Sequence, residues 1–302
     1  MKKTNGKYAS AASRTVARKQ KHKKKSKLIP ILCILLVLSA LVFGAVLWLT
    51  IRQSRNSNHF QELAAQVQAV EQTRVTQPPA PAQNTPAPTE APQGAAQPLE
   101  TQPPQETEPA VKPIMEQYAG LYQQNTDFFG WIKIPGTKVD YPVMHSPDEA
   151  ERYLHADFNR NYSYAGTPFL KATCTADSDN LLIYGHNMLD GSMFRSLLKY
   201  ENKSYWEEHP TIQFNTLYEE QEFEILAAFY DRVYYKTETV FKFYQFIDAE
   251  DEADFDYAVS QFKEKSLYDT GITAEYGDQL ITLITCAYHT SNGRFVVVAV
   301  KK

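Results

Sequence analysis

Cys286 and Arg294, eight residues apart, and His186, a hundred residues before the cysteine, have the types that nucleophilic thiol chemistry uses. Cys286 closes the run TLITC, and strand alternation over residues 279–286 puts Leu280, Thr282, Ile284 and Cys286 on one face. Seven residues, AYHTSNG, separate it from RFVVVAV, and the pair Asn292-Gly293 favours a turn. If these strands form an antiparallel hairpin, Cys286 and Arg294 oppose each other at its mouth, with Cβ atoms about 4.5–5.5 Å apart. The thiolate is the nucleophilic form of cysteine, and a neighbouring cation favours it.

An acid–base partner should come from the end of another strand. Of the seven histidines, His22 sits in a basic tail and His59 in a helical stretch near it. His145, His155 and His209 fall in loops or at helix ends and read as exposed or capping residues. Two candidates remain. His186 stands in LLIYGHNM directly after an apolar strand, with Gly185 allowing a sharp exit, and His289 lies three residues from Cys286 in the hairpin loop. Taken singly, each has a bland reading: a turn residue satisfied by backbone for His186, a buried small hydrophobe for Cys286. Of the other cysteines, Cys33 falls in an apolar span and Cys174 in the polar loop Thr173-Cys174-Thr175.

The elements that would position these groups occupy residues 114–302, enough for one domain. Short apolar runs at 131–134, 139–144, 168–171, 181–184, 211–215, 222–231, 279–286 and 294–300 read as strands, separated by turn chemistry such as Pro135-Gly136. Helical spacing marks 114–125, 192–209 and 250–267, the last with Phe255, Val259 and Phe262 on one face. The expectation is a mainly β domain, a barrel or sandwich of about eight strands with helical insertions.

The first 113 residues have a different character. Residues 1–55 hold 13 of the 31 basic residues and no acid, leaving 18 basic and 35 acidic residues beyond, a balance of −17. Residues 1–27 form a basic tail, and 28–51 carry no charge over 24 residues. At about 1.5 Å per residue, that span is long enough to cross a ~30 Å hydrocarbon core. It is too long for a secretory h-region, which identifies an uncleaved signal anchor. The preceding positive charges predict a single-pass protein with its N-terminus in the cytoplasm and its remainder outside the cell membrane. Residues 52–76, with Phe60, Leu63, Val67 and Val70 at 3-4-3 spacing, predict a helical stalk, either solvated or a self-association seam. Residues 77–113 crowd 11 of the 17 prolines into a linker expected to act as a semi-rigid spacer.

Composition excludes several classes. Three cysteines cannot make a disulfide framework, none has another at zinc-finger spacing, and no Gly-rich phosphate-binding pattern is present. No metal or cofactor is expected, and no nucleic acid.

Together, TLITC with Arg294 eight residues past the cysteine, and YGHN a hundred residues before it, resemble the sortase family. The likeness extends over nearly all of 114–302. FFGWIKIPGTKVDYPVMH is similar to the family's first two strands, and IYGHNMLDGSMFRSL to its class B members, as are the helices before Trp131 and over 250–267. The resemblance implies a closed sortase-type β-barrel and a membrane-anchored cysteine transpeptidase of Gram-positive bacteria. Such an enzyme cuts a C-terminal sorting signal on a secreted protein and joins the new carboxyl group, through a thioester, to an amine of cell-wall precursor or a pilin lysine. It implies Cys286 as nucleophile, His186 as general acid/base and Arg294 as stabiliser of the oxyanion or substrate, with Thr285, Tyr184 and Asn187 touching substrate. Two positions depart from many class B members, which carry Ser two residues before the cysteine and an acid after it; here they are Ile284 and Ala287. A Cys-His peptide hydrolase and a non-catalytic displayed β-domain are the competing readings.

Overall fold

The computed structural model describes residues 28–76 and 112–302. The expectations for the basic tail and for nearly all of the Pro-rich linker lie outside the described residues. Helix α1 runs Leu28–Thr76. Its Pro30–Trp48 portion has a mean hydropathy of 2.8 over 19 residues, long and apolar enough to cross a membrane, and its side chains are exposed.

The second compact unit spans Ile51–Lys302. Eight strands follow α2 (Glu116–Gln124): β1 Phe128–Lys133, β2 Asp140–Met144, β3 Phe169–Leu170, β4 Asn180–Tyr184, β5 Thr211–Thr216, β6 Glu222–Arg232, β7 Leu280–Cys286 and β8 Gly293–Lys301. They close into a barrel in the order β1-β2-β3-β4-β7-β8-β6-β5, which leaves no unpaired edge. β2–β3 and β4–β7 pair in parallel and the remaining neighbours antiparallel. All but the last residue of β7 is buried, and nearly all of β8, because interior packing covers one face of these strands and helical segments the other.

Helix α4 (Glu252–Lys265) lies against β6 with Phe255, Val259 and Phe262 buried. It begins where Asp251 caps it, accepting from the Asp254 amide at 3.0 Å. Glu252 and Asp254 in the first turn, with Lys263 and Lys265 in the last, complement the helix dipole.

Two expectations are corrected. The stretch 192–209 is not one α-helix but a 3₁₀ segment, Phe194–Glu201, followed by α3 (Lys203–Glu208). Its buried anchors Phe194, Leu197 and Tyr200 recur every third residue, the period at which a 3₁₀ helix stacks side chains on one face. The second correction concerns the stalk. Phe60, Leu63 and Val67 do not form a solvated or self-associating seam. They are buried in the barrel's own core cluster, with Phe60 edge-on to Tyr141 at 5.5 Å, and Asn159 sits 3.1 Å from the His59 ring. An apolar stripe gains more from a neighbouring apolar surface than from water, and the outer wall of β1–β2 supplies one. Leu63→Ala is therefore expected to cost about 2–5 kcal/mol in urea denaturation, whereas Gln66→Ala, on the exposed side, should change stability by less than about 0.5 kcal/mol. Equal midpoints for the two variants would contradict this docking.

Candidate active site

The parallel pairing of β4 with β7 builds the site. In register Tyr184↔Ile284, both strands deliver their C-terminal ends to the same rim, and β8 returns beside β7 with Cys286 directly opposite Arg294. The sequence supplies a tight return: Asn292 takes φ +56°, in the left-handed region that asparagine tolerates.

His186 leaves β4 two residues after its end and is lashed to β7 on either side. The Gly185 amide donates to the Ile284 carbonyl at 3.1 Å, and Thr285 Oγ1 donates to the Gly185 carbonyl at 2.8 Å. Asn187 Nδ2 donates to the Cys286 carbonyl at 2.7 Å, while its Oδ1 accepts from Arg195 Nη1 at 2.8 Å. Gly185 is required by space: a Cβ there would lie 2.6 Å from the Phe194 ring.

Cys286, His186 and Arg294 line one groove of roughly 400 Å³. Leu154, Phe169, Tyr184 and Ile284 form its apolar walls, with Lys171 and Glu151 also at its surface. Cys286 is half-buried. The His186 ring has one nitrogen committed, since Nε2 lies 2.9 Å from the Leu154 carbonyl. A carbonyl only accepts, so Nε2 carries the proton and Nδ1 holds the lone pair of the neutral ring. Burial pulls the His186 pKa below the ordinary histidine value; the Leu154 carbonyl opposes that pull and the charge of His155 adds to it. Arg294 Nη1 donates to the Gly293 carbonyl at 2.9 Å, which braces the guanidinium against its own turn.

Of the residues expected on substrate, Tyr184 lines the groove, stacked on Phe169 at 5.6 Å, and burial raises its hydroxyl pKa to about 12. It is therefore a neutral donor at any physiological pH. Thr285 also borders the groove, but its hydroxyl is spent on Gly185. Asn187 is buried with both ends of its amide bound within the protein, an arrangement that fixes the Cys286 carbonyl. His289 packs edge-on to Tyr230 at 4.8 Å and is not among the groove residues. Cys174 is buried, where desolvation pushes its thiol pKa up. Among the described residues, no group of three or more His, Cys, Asp and Glu is disposed to hold a metal.

One neighbour had no sequence signal. His155 is an exposed loop residue, as expected, and it also stacks on His186 with ring centroids 5.4 Å apart and planes at 29°. The two are 31 positions apart, and only the fold of the loop between β2 and β3 brings them together.

A closed mixed barrel carrying a cysteine, a histidine and an arginine at one rim has the groups that acyl transfer through a cysteine nucleophile uses. Residues 132–302 match the family model of the sortase domain. The chain is 33% identical over 177 residues to sortase B of Listeria monocytogenes, covering 57% of this chain and 68% of that protein. It is 30% identical over 190 residues to sortase B of Staphylococcus aureus, covering 62% and 75%. A solved Staphylococcus aureus sortase B–substrate complex superposes with a TM-score of 0.64 at 22% identity, covering 83% of this chain and 98% of that one, and it supports the fold. The chain belongs to the sortase family and is a class B-like cysteine transpeptidase.

Proposed function

We propose that this transpeptidase cleaves a C-terminal sorting signal on secreted proteins and transfers the acyl group to an amine of cell-wall precursor or a pilin lysine, with Cys286, His186 and Arg294 as its catalytic residues. The observation that carries the reading is the convergence of these three side chains on one groove at the rim where β4 and β7 end. The candidate span Pro30–Trp48, preceded by eleven positive residues and no acid, supports a membrane anchor with the catalytic unit outside the cell.

Chemically, a neutral His186 takes the Cys286 thiol proton on Nδ1 as sulfur attacks the scissile carbonyl carbon. The carbonyl oxygen becomes an oxyanion facing the Arg294 guanidinium. Collapse breaks the C–N bond, the imidazolium gives its proton to the departing amine, and a thioester remains on Cys286. The acceptor amine then attacks that carbon, losing a proton to His186. The C–S bond breaks, the thiol is re-formed, and an amide is released. Lys171 donates to the Tyr244 carbonyl at 2.7 Å with its ammonium half-buried, which ties that edge of the groove to the segment after β6.

The test is incubation of the chain with peptides of NPxTN and LPxTG pattern together with triglycine or a diaminopimelate-containing stem peptide. Amide product is expected; hydrolysis alone at saturating amine would replace transfer by a Cys-His peptidase. In the same assay Arg294→Ala should lower kcat by about 10²–10³, as the removal of one preorganised oxyanion donor does. Arg294→Lys should recover only part, because the ammonium keeps the charge and loses the planar fork. Wild-type turnover in Arg294→Ala would remove the guanidinium from the mechanism.

A further inference from the structure

We infer that His155 is a positioning residue for His186, its ring forming the plate against which the catalytic imidazole is held with Nδ1 turned to the groove. The inference rests on His186 acting as the acid–base group.

Three observations converge on it. The first is the stack itself. His155 stacks on His186, at 5.4 Å and 29°, and on Tyr162, at 6.2 Å and 24°, so the histidine at the groove is linked through His155 to an exposed tyrosine. The second is that the same short segment grips His186 twice. The Leu154 carbonyl takes the Nε2 proton and the adjacent His155 packs the ring face. A hydrogen bond fixes the direction of one ring atom but leaves rotation about that axis open. A flat surface against the ring removes the remaining freedom.

The third is the rigidity of the platform. Ala156 and Tyr162 pair as an antiparallel bridge, and the Ser163 amide donates to the His155 carbonyl at 2.9 Å. Asp157 Oδ1 accepts from the amides of Asn159 and Asn161, both at 2.9 Å. Thr167 clamps the base of the loop, its hydroxyl donating to the Ala156 carbonyl at 2.9 Å and its amide to the Tyr153 carbonyl at 3.0 Å. Buried Tyr153 is anchored in turn, donating to Asp127 at 2.7 Å and accepting from Asn125 at 2.8 Å. An exposed loop built only to cover the barrel has no need of such bracing. One that sets the angle of a proton-transfer group does, since small misplacements of reacting groups cost large factors in rate.

The charged and titratable groups that share the groove with His186 are Cys286 of β7, Arg294 of β8, Tyr184 of β4, Lys171 after β3, and Glu151 before the turn that carries His155. Against that background His155 adds a second role. Positive charge on its ring opposes protonation of His186, so the neutral base persists to lower pH.

The experiment uses the full-length chain in detergent, with iodoacetamide alkylation of Cys286 followed across pH and transfer kinetics measured on the same peptides and triglycine. His155→Ala should lower kcat by roughly tenfold with KM within about twofold, the pattern of a lost transition-state alignment. His155→Phe restores the plate without the charge: most of kcat should return while the acid limb of the pH profile moves to higher pH. Tyr162→Ala, which removes the outer ring, should reproduce a weaker form of the His155→Ala defect at unchanged melting temperature. The companion variant His186→Ala separates the two levels. If it alkylates and turns over as wild type, the acid–base assignment falls and His155 has nothing to position. If it is crippled while His155→Ala keeps wild-type kcat and an unmoved acid limb, the positioning role alone is overturned.

Discussion

Cys286→Ala is expected to abolish transfer, a loss of roughly 10⁴-fold or more, because no other group can form the covalent intermediate. The effect should be specific to one thiol. Cys174 donates weakly to the Asn180 carbonyl at 3.6 Å inside the core, with desolvation resisting its ionisation. Cys174→Ala should therefore keep wild-type turnover, apart from any loss of stability. Mass spectrometry of the wild-type enzyme with peptide and no amine should show the acyl adduct on the peptide containing Cys286. An adduct elsewhere, or full activity in Cys286→Ala, would displace the thiol from the mechanism. Cys286→Ser is informative as well. It keeps the hydrogen bond from Asn187 to the residue-286 carbonyl, since that contact is made by backbone, and so separates loss of the nucleophile from loss of geometry.

Much of this architecture was legible because its strands announce themselves twice, by apolar runs and by turn chemistry. β7 reads LITLITC and β8 GRFVVVAVK, with an Asn-Gly turn between, and the sequence register that sets Cys286 against Arg294 is the observed one. What escaped the sequence needs information about neighbours. Phe60, Leu63 and Val67 form an apolar stripe whatever they face, so a stripe alone does not distinguish a partner helix, another copy or the chain's own barrel. Phe194, Leu197 and Tyr200 satisfy a loose helical pattern as well as a 3₁₀ one, and the difference of about 0.6 residue per turn is settled by what they pack against. Asn187 and Thr285 flank the reactive groups in sequence and so invite a substrate role. In the fold their polar atoms hold the rim together, with Asn187 on the Cys286 carbonyl and Thr285 on that of Gly185. Proximity to a reactive side chain marks machinery; whether that machinery touches substrate depends on where each hydroxyl and amide is already bound.

The choice between the two candidate histidines carries the second large effect. His186→Ala should cut kcat/KM by about 10³–10⁴, since proton transfer both from the thiol and to the leaving amine is lost. His289→Ala should leave most of the activity, because that ring lies against Tyr230 on the side of β6. The pH profile gives an independent check with a defined sign. Burial holds the His186 pKa below the usual histidine value, and His155 adds to that depression. The neutral base therefore persists to lower pH than in an ordinary histidine, and the acid limb of wild-type kcat/KM should be displaced downward accordingly as the ring takes up a second proton. In His186→Ala that acid limb should vanish from the small residual rate, leaving a profile without the histidine's inflection. External imidazole gives the last discrimination. Added to His186→Ala it should restore part of the rate, because the cavity left beside the Leu154 carbonyl keeps an acceptor for one ring nitrogen and leaves the other for proton transfer. Rescue of His289→Ala instead, or an unaltered acid limb in His186→Ala, would transfer the proton-handling role to the hairpin loop.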